Sequence, residues 1–96
     1  MVTRQTLTER REEILRLATA RRVSDVRVFG SVARGESAAN SDVDFLVKPE
    51  PGCSLVDLGG LLMELQELLG CKVDLVTEGG LKPRIRSRVL AEAVPL

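Results

Sequence analysis

The sequence predicts an α/β fold, a small sheet of three or four strands covered by helices, in one domain over residues 1–96. Three observations carry this. Apolar residues recur at helical spacing around Ile14, from Leu58 to Leu69 and from Ile85 to Ala93. Short apolar or alternating runs at 26–29, 42–47 and 72–77 read as strands, and the two kinds of segment alternate along the chain. At 96 residues the chain buries about two-thirds of its unfolded surface, enough for one modest core and too little for a second substrate-binding domain.

Taken in order, Thr6 with Glu9 predicts a capping box for a first helix, whose buried side is Ile14, Leu17, Ala18 and the stem of Arg21. The apolar run 26–29, polar only at Arg27, ends at Gly30, and Ser31 opens a short helix. Residues 36–40 are small and polar and predict a loop that returns the chain to the next strand, which Pro49, Pro51 and Gly52 end. Ser54 and Asp57 cap a helix over 54–69 with Leu58, Leu61, Leu62, Leu65, Leu68 and Leu69 as its apolar stripe. Gly59 and Gly60 weaken its first turns, and Gly70 closes it. Residues 72–77 form the third strand and 78–80 a turn; Pro83 starts a last helix with Ile85, Val89, Leu90 and Ala93 on one side.

The chemistry concentrates between residues 28 and 47. Gly30 lacks a Cβ and lets the backbone approach a ligand, while the helix that opens at Ser31 offers free N–H groups, an arrangement suited to phosphate. Asp42 and Asp44, two apart in a strand, project from one face, and Val43, Phe45 and Val47 from the other. Paired carboxylates repel unless a cation neutralises them. Magnesium prefers oxygen ligands and is commonly held by one or two carboxylates together with substrate phosphates, so a polyphosphate is implied.

GSVARG at 30–35 followed by SDVD at 41–44 is similar to the signature of the nucleotidyltransferase superfamily that includes DNA polymerase beta. The short length resembles its minimal branch, the antitoxins paired with HEPN-type RNase toxins. This resemblance implies a mixed strand order and a third carboxylate, Asp74, within KVDLV at 72–76. It also implies magnesium-dependent transfer of AMP from ATP onto a hydroxyl, a tyrosine of the partner toxin. Two magnesium ions would be held by Asp42, Asp44 and Asp74, and the nucleotide by Gly30, Ser31, Arg34 and Ser41. Asp74 has a plainer reading as a solvent-facing strand residue, and Arg34 is equally well a loop-shaping ion pair as a phosphate clamp. Two other functions stay open: an antitoxin that neutralises its toxin by contact alone, and a small-molecule nucleotidyltransferase of the aminoglycoside-modifying kind, for which the chain looks too short to build an acceptor pocket.

Composition narrows the rest. Fourteen basic and fourteen acidic residues cancel, which argues against broad electrostatic binding to nucleic acid. Only Lys82, Arg84, Arg86 and Arg88 depart from balance, and the solvated face of a terminal helix accounts for them more simply than contact with triphosphate, RNA or an acidic partner. No apolar run is long enough to span a bilayer and the N-terminus lacks a signal peptide's apolar centre, so a cytoplasmic location is expected. Cys53 and Cys71 flank the helix over 54–69, beyond disulfide reach, and are expected as free thiols; without His a structural zinc site is not expected. Phe29 and Phe45 are the only aromatic residues, Phe45 reads as core, and no ring is evidently available to stack on a base.

Overall fold

The computed structural model describes residues 2–36 and 42–96. The chain begins with two short helices, α1 (Arg4–Glu9) and α2 (Arg11–Ala20), where the sequence predicts one. The capping box lies a turn earlier than expected. Thr3 is the N-cap: its hydroxyl accepts from the Thr6 N–H at 3.2 Å, and the Thr6 hydroxyl accepts from the Thr3 N–H at 3.2 Å. Glu9 therefore ends α1 instead of closing a box with Thr6. Two threonines three apart satisfy the same orphan donors as a hydroxyl–carboxylate pair, which is why Thr6 with Glu9 was a credible alternative. Beyond the break at Arg10, Ile14 and Ala18 are buried as their spacing requires.

Strand β1 (Val23–Phe29) starts three residues before the run that the sequence predicts. Its register explains the difference. Ser24 faces Lys48 and Arg27 faces Leu46, so three steps on β1 match two on its neighbour. The extra residue makes a bulge at which Asp25 takes φ +50°. The bulge shifts the alternation and buries Val23 and Val26, three apart, on one face with Val28. A strict period of two hides such a strand.

Helix α3 (Gly30–Ala33), β2 (Val43–Pro49), α4 (Leu55–Leu69), β3 (Val73–Thr77), a 3-10 turn over Glu78–Gly80, α5 (Pro83–Glu92) and β4 (Val94–Pro95) follow. Ser54 and Asp57 form the expected capping box on α4, and Gly70 closes it in the left-handed conformation. Gly59 and Gly60 are carried within this helix without breaking it. The strands form one sheet in the order β3-β2-β1-β4. β1 runs antiparallel to β2 and β4, and β2 parallel to β3, so the sheet is mixed. β4 has two residues and no alternation to reveal it in the sequence.

The sheet separates two apolar clusters. Val43, Phe45 and Val47 of β2 join Val28, Val73, Ile14, Leu61 and Leu65 in the larger one, which α2 and α4 cover. Leu46, on the other face, joins Leu81 and Val89 in a smaller cluster to which Phe29, Val76 and Ile85 add partly buried surface. α5 thus covers only part of the second face. Cys53 and Cys71 are both free. Among the described residues no helix is long and apolar enough to cross a membrane.

Candidate active site

Asp44 lies on the second face, on the same side of β2 as Leu46. Alternation along β2 puts it there because Val43 and Phe45 are both fully buried on the first face. Asp44 is half-buried and flanked on both sides in the sheet: its partner on β1 is Phe29 and its partner on β3 is Asp74. The structure therefore brings Asp44 and Asp74 side by side, although they are thirty residues apart in the sequence. Asp42, just ahead of β2, is half-buried, and Asp74 is exposed.

This crowding has an electrostatic consequence. The Asp44 carboxyl is pushed up to about 6, first by burial, then by the charge of Asp74, a hydrogen bond with the Asp74 side chain and the charge of Asp42; Arg34 opposes the rise. A cation would relieve the repulsion and lower the value. Among the described residues no three Asp, Glu, His or Cys side chains are gathered into a single ligand set. The donor chemistry nevertheless fits magnesium, which keeps several waters and needs only one or two protein carboxylates when substrate phosphates complete its shell.

Gly30 follows Phe29 directly and begins α3. It has φ +77°, where side chains with a Cβ are strained. A Cβ there would also overlap the Asp44 carboxylate. The glycine that the sequence assigns to ligand approach is thus needed first by the protein itself, to bring the turn down onto Asp44. Ser31 is half-buried in α3, with its carbonyl accepting from the Glu36 N–H at 2.8 Å. Ser41 lies outside the described residues.

Arg34 stands at the end of α3, and here the loop-shaping ion pair is present. Its Nε donates to Glu36 Oε2 at 2.8 Å and its Nη1 to Glu92 Oε1. Glu92, from the last turn of α5, was not singled out in the sequence. The Arg34 hydrogen bond holds its carboxyl below the usual range against burial, the next-largest effect, with lesser help from the Arg34 charge, the Gly30 N–H and Arg88. A glutamate four residues after Arg88 reads as an ordinary helix-face pair, and only the tertiary fold carries it across to Arg34 and Gly30. Of the basic C-terminal residues, Lys82, Arg84, Arg86 and Arg88 are all exposed, and Arg86 pairs with Glu78 at 3.1 Å.

The chain and its fold are similar to known proteins. A solved structure described as a candidate minimal nucleotidyltransferase superposes with a TM-score of 0.88 at 49% identity, covering 99% of this chain and 97% of that one. Protein adenylyltransferase MntA of Thermococcus cleftensis is 46% identical over 72 residues, 75% of this chain and 73% of its own length. The crystal structure of a toxin-antitoxin with AMP-PNP shares the fold, with a TM-score of 0.73 at 22% identity, covering 88% of this chain and 69% of that one. The family model described as the nucleotidyltransferase domain matches residues 7–96, a span that includes Gly30, Ser31, Asp42, Asp44 and Asp74, and the chain belongs to that family.

Proposed function

We propose that this nucleotidyltransferase moves AMP from ATP onto a tyrosine hydroxyl of a partner HEPN-type RNase toxin in the cytoplasm and so acts as the antitoxin of the pair. The observation that carries the reading is the Asp44–Asp74 pairing across β2 and β3, with Asp42 nearby and the Gly30 turn against Asp44. The adenylyltransferase MntA relative and the likeness in fold to a toxin-antitoxin structure with AMP-PNP support the nucleotide and the partner.

In this reading the Gly30 and Ser31 N–H groups and the Ser31 hydroxyl hold the β- and γ-phosphates, and Arg34 exchanges a glutamate for a phosphate oxygen. Two magnesium ions would be held by Asp42, Asp44 and Asp74 together with the substrate phosphates, which supply the donors that these carboxylates do not by themselves gather. Bound magnesium supplies charge neutralisation on the phosphates and alignment of attack with departure. Asp74, exposed at the sheet edge, takes the proton of the acceptor hydroxyl. The hydroxyl oxygen bonds to the α-phosphorus, the bond from that phosphorus to the bridging oxygen breaks, and pyrophosphate leaves with the electron pair.

Incubation with the toxin, ATP and magnesium tests this. The toxin should gain the mass of one AMP on a tyrosine and stay inactive as an RNase after the two proteins are separated. Asp44→Asn should abolish the addition while the complex still forms, because an interface is spread over many residues. Recovery of full RNase activity on separation, with no added mass at saturating ATP, would transfer the function to neutralisation by contact.

A further inference from the structure

Glu92 and Arg34 come from α5 and α3, elements 58 residues apart, and meet at the edge of the phosphate turn. The Glu92 side chain is 20% exposed, and Arg34 is its ion-pair partner. The Gly30 N–H also favours its charged form. A carboxylate thus occupies Arg34, a group to which the proposed function assigns phosphate, beside the Gly30 turn whose carbonyl accepts from the Arg34 N–H at 3.1 Å. A carboxylate and a phosphate are both anionic oxygen acceptors and compete for the same donors. Arg34 keeps Glu36 as a second partner at 2.8 Å, so its guanidinium stays oriented when Glu92 departs.

We infer that Glu92 is a positioning residue of the nucleotide site: it holds the Arg34 side chain in place beside the Gly30 turn in the nucleotide-free protein and is displaced by the incoming triphosphate. The inference rests on the assignment of phosphate to Gly30 and Arg34. Displacement needs only a change of side-chain rotamer at the end of α5, where Glu92 is the final residue. The carboxylate therefore lowers the affinity for phosphate while keeping the turn ordered.

Calorimetric titration of magnesium-ATP and magnesium-AMP into the wild type, Glu92→Gln, Arg34→Met and the double variant tests it. Glu92→Gln removes the competing charge and keeps the shape, so ATP should bind about two- to fivefold more tightly, the range of a partly exposed ion pair. The gain should be smaller for AMP, which lacks the β- and γ-phosphates, and absent in the Arg34→Met background. A merely structural glutamate would shift ATP and AMP alike. Unchanged or weaker ATP binding by Glu92→Gln, with Arg34→Met still weakening it, overturns the inference and leaves the phosphate assignment standing. Wild-type ATP affinity in Arg34→Met removes both.

Discussion

The two faces of β2 make a controlled comparison, because the same seven-residue strand supplies both. On one side Val43, Phe45 and Val47 sink into a core closed by α2 and α4. On the other Leu46 is equally buried under Leu81 and Val89, yet Asp44 one pleat away keeps partial access to water beside Asp74. The first face maximises apolar burial. The second stops short of it, since α5 covers only part of the sheet, and a half-buried carboxylate with a carboxylate neighbour persists where a fully covered one would be too costly. A family of transferases can tolerate that repulsion because it is the attraction that a metal and a phosphate would answer.

The largest effect expected from this contrast is on the packed face. Phe45 has 0% exposure, so Phe45→Ala should cost about 3–5 kcal/mol in urea denaturation. A loss below about 1 kcal/mol would mean that the first face is far less tightly packed than described. Next comes the joint between the faces. Gly30→Ala should cost about 1–3 kcal/mol, from the left-handed backbone and the overlap with Asp44 together. Adding Asp44→Ala should return the overlap part and leave the backbone part, about 1–2 kcal/mol. Strict additivity of the two variants would show that Gly30 does not need room against Asp44.

The smallest effect is the pH dependence of the second face. In the metal-free chain the Asp44 carboxyl is pushed up to about 6 from an ordinary 3.8, so between about pH 4 and 6 the folded state holds a proton that the unfolded state has released. The stabilising contribution is complete below about pH 4 and is lost as pH rises through about 6. Asp44→Asn should therefore match the wild type in melting temperature at pH 4 and exceed it at pH 7. Glu92, whose carboxyl is shifted the other way, is common to both proteins and cancels in the difference. A constant difference across that range would place Asp44 in an ordinary solvated environment.

Much of the local geometry of the candidate site was legible in the sequence because its parts are local. The strand that ends at Gly30, the period-two placing of Asp44 opposite Val43 and Phe45, the capped helix α4 and the proline start of α5 all depend on neighbours within a few residues, whereas Asp42 lies just ahead of the strand that the sequence predicts it to be in. Local signals misled where two solutions were nearly equivalent, as with Thr3 and Thr6 in place of Thr6 and Glu9. They were silent where a bulge broke the period, as at Asp25, or where a strand was too short to have one, as at Val94–Pro95.

Which side chains can share a face of a strand or helix follows from the pleat and the helical turn and is written in the order of the residues, as is the motif that resembles the nucleotidyltransferases. Which distant groups meet depends on how the elements pair and dock. The parallel pairing of β2 with β3 set Asp44 beside Asp74, and the antiparallel pairing of β1 with β2 set Gly30 against the Asp44 carboxylate. The seating of α5 carried Glu92 to Arg34. Strand register and helix docking are fixed by burial of whole apolar faces, so the polar contacts that they create far along the chain leave no periodic trace in the residues that make them.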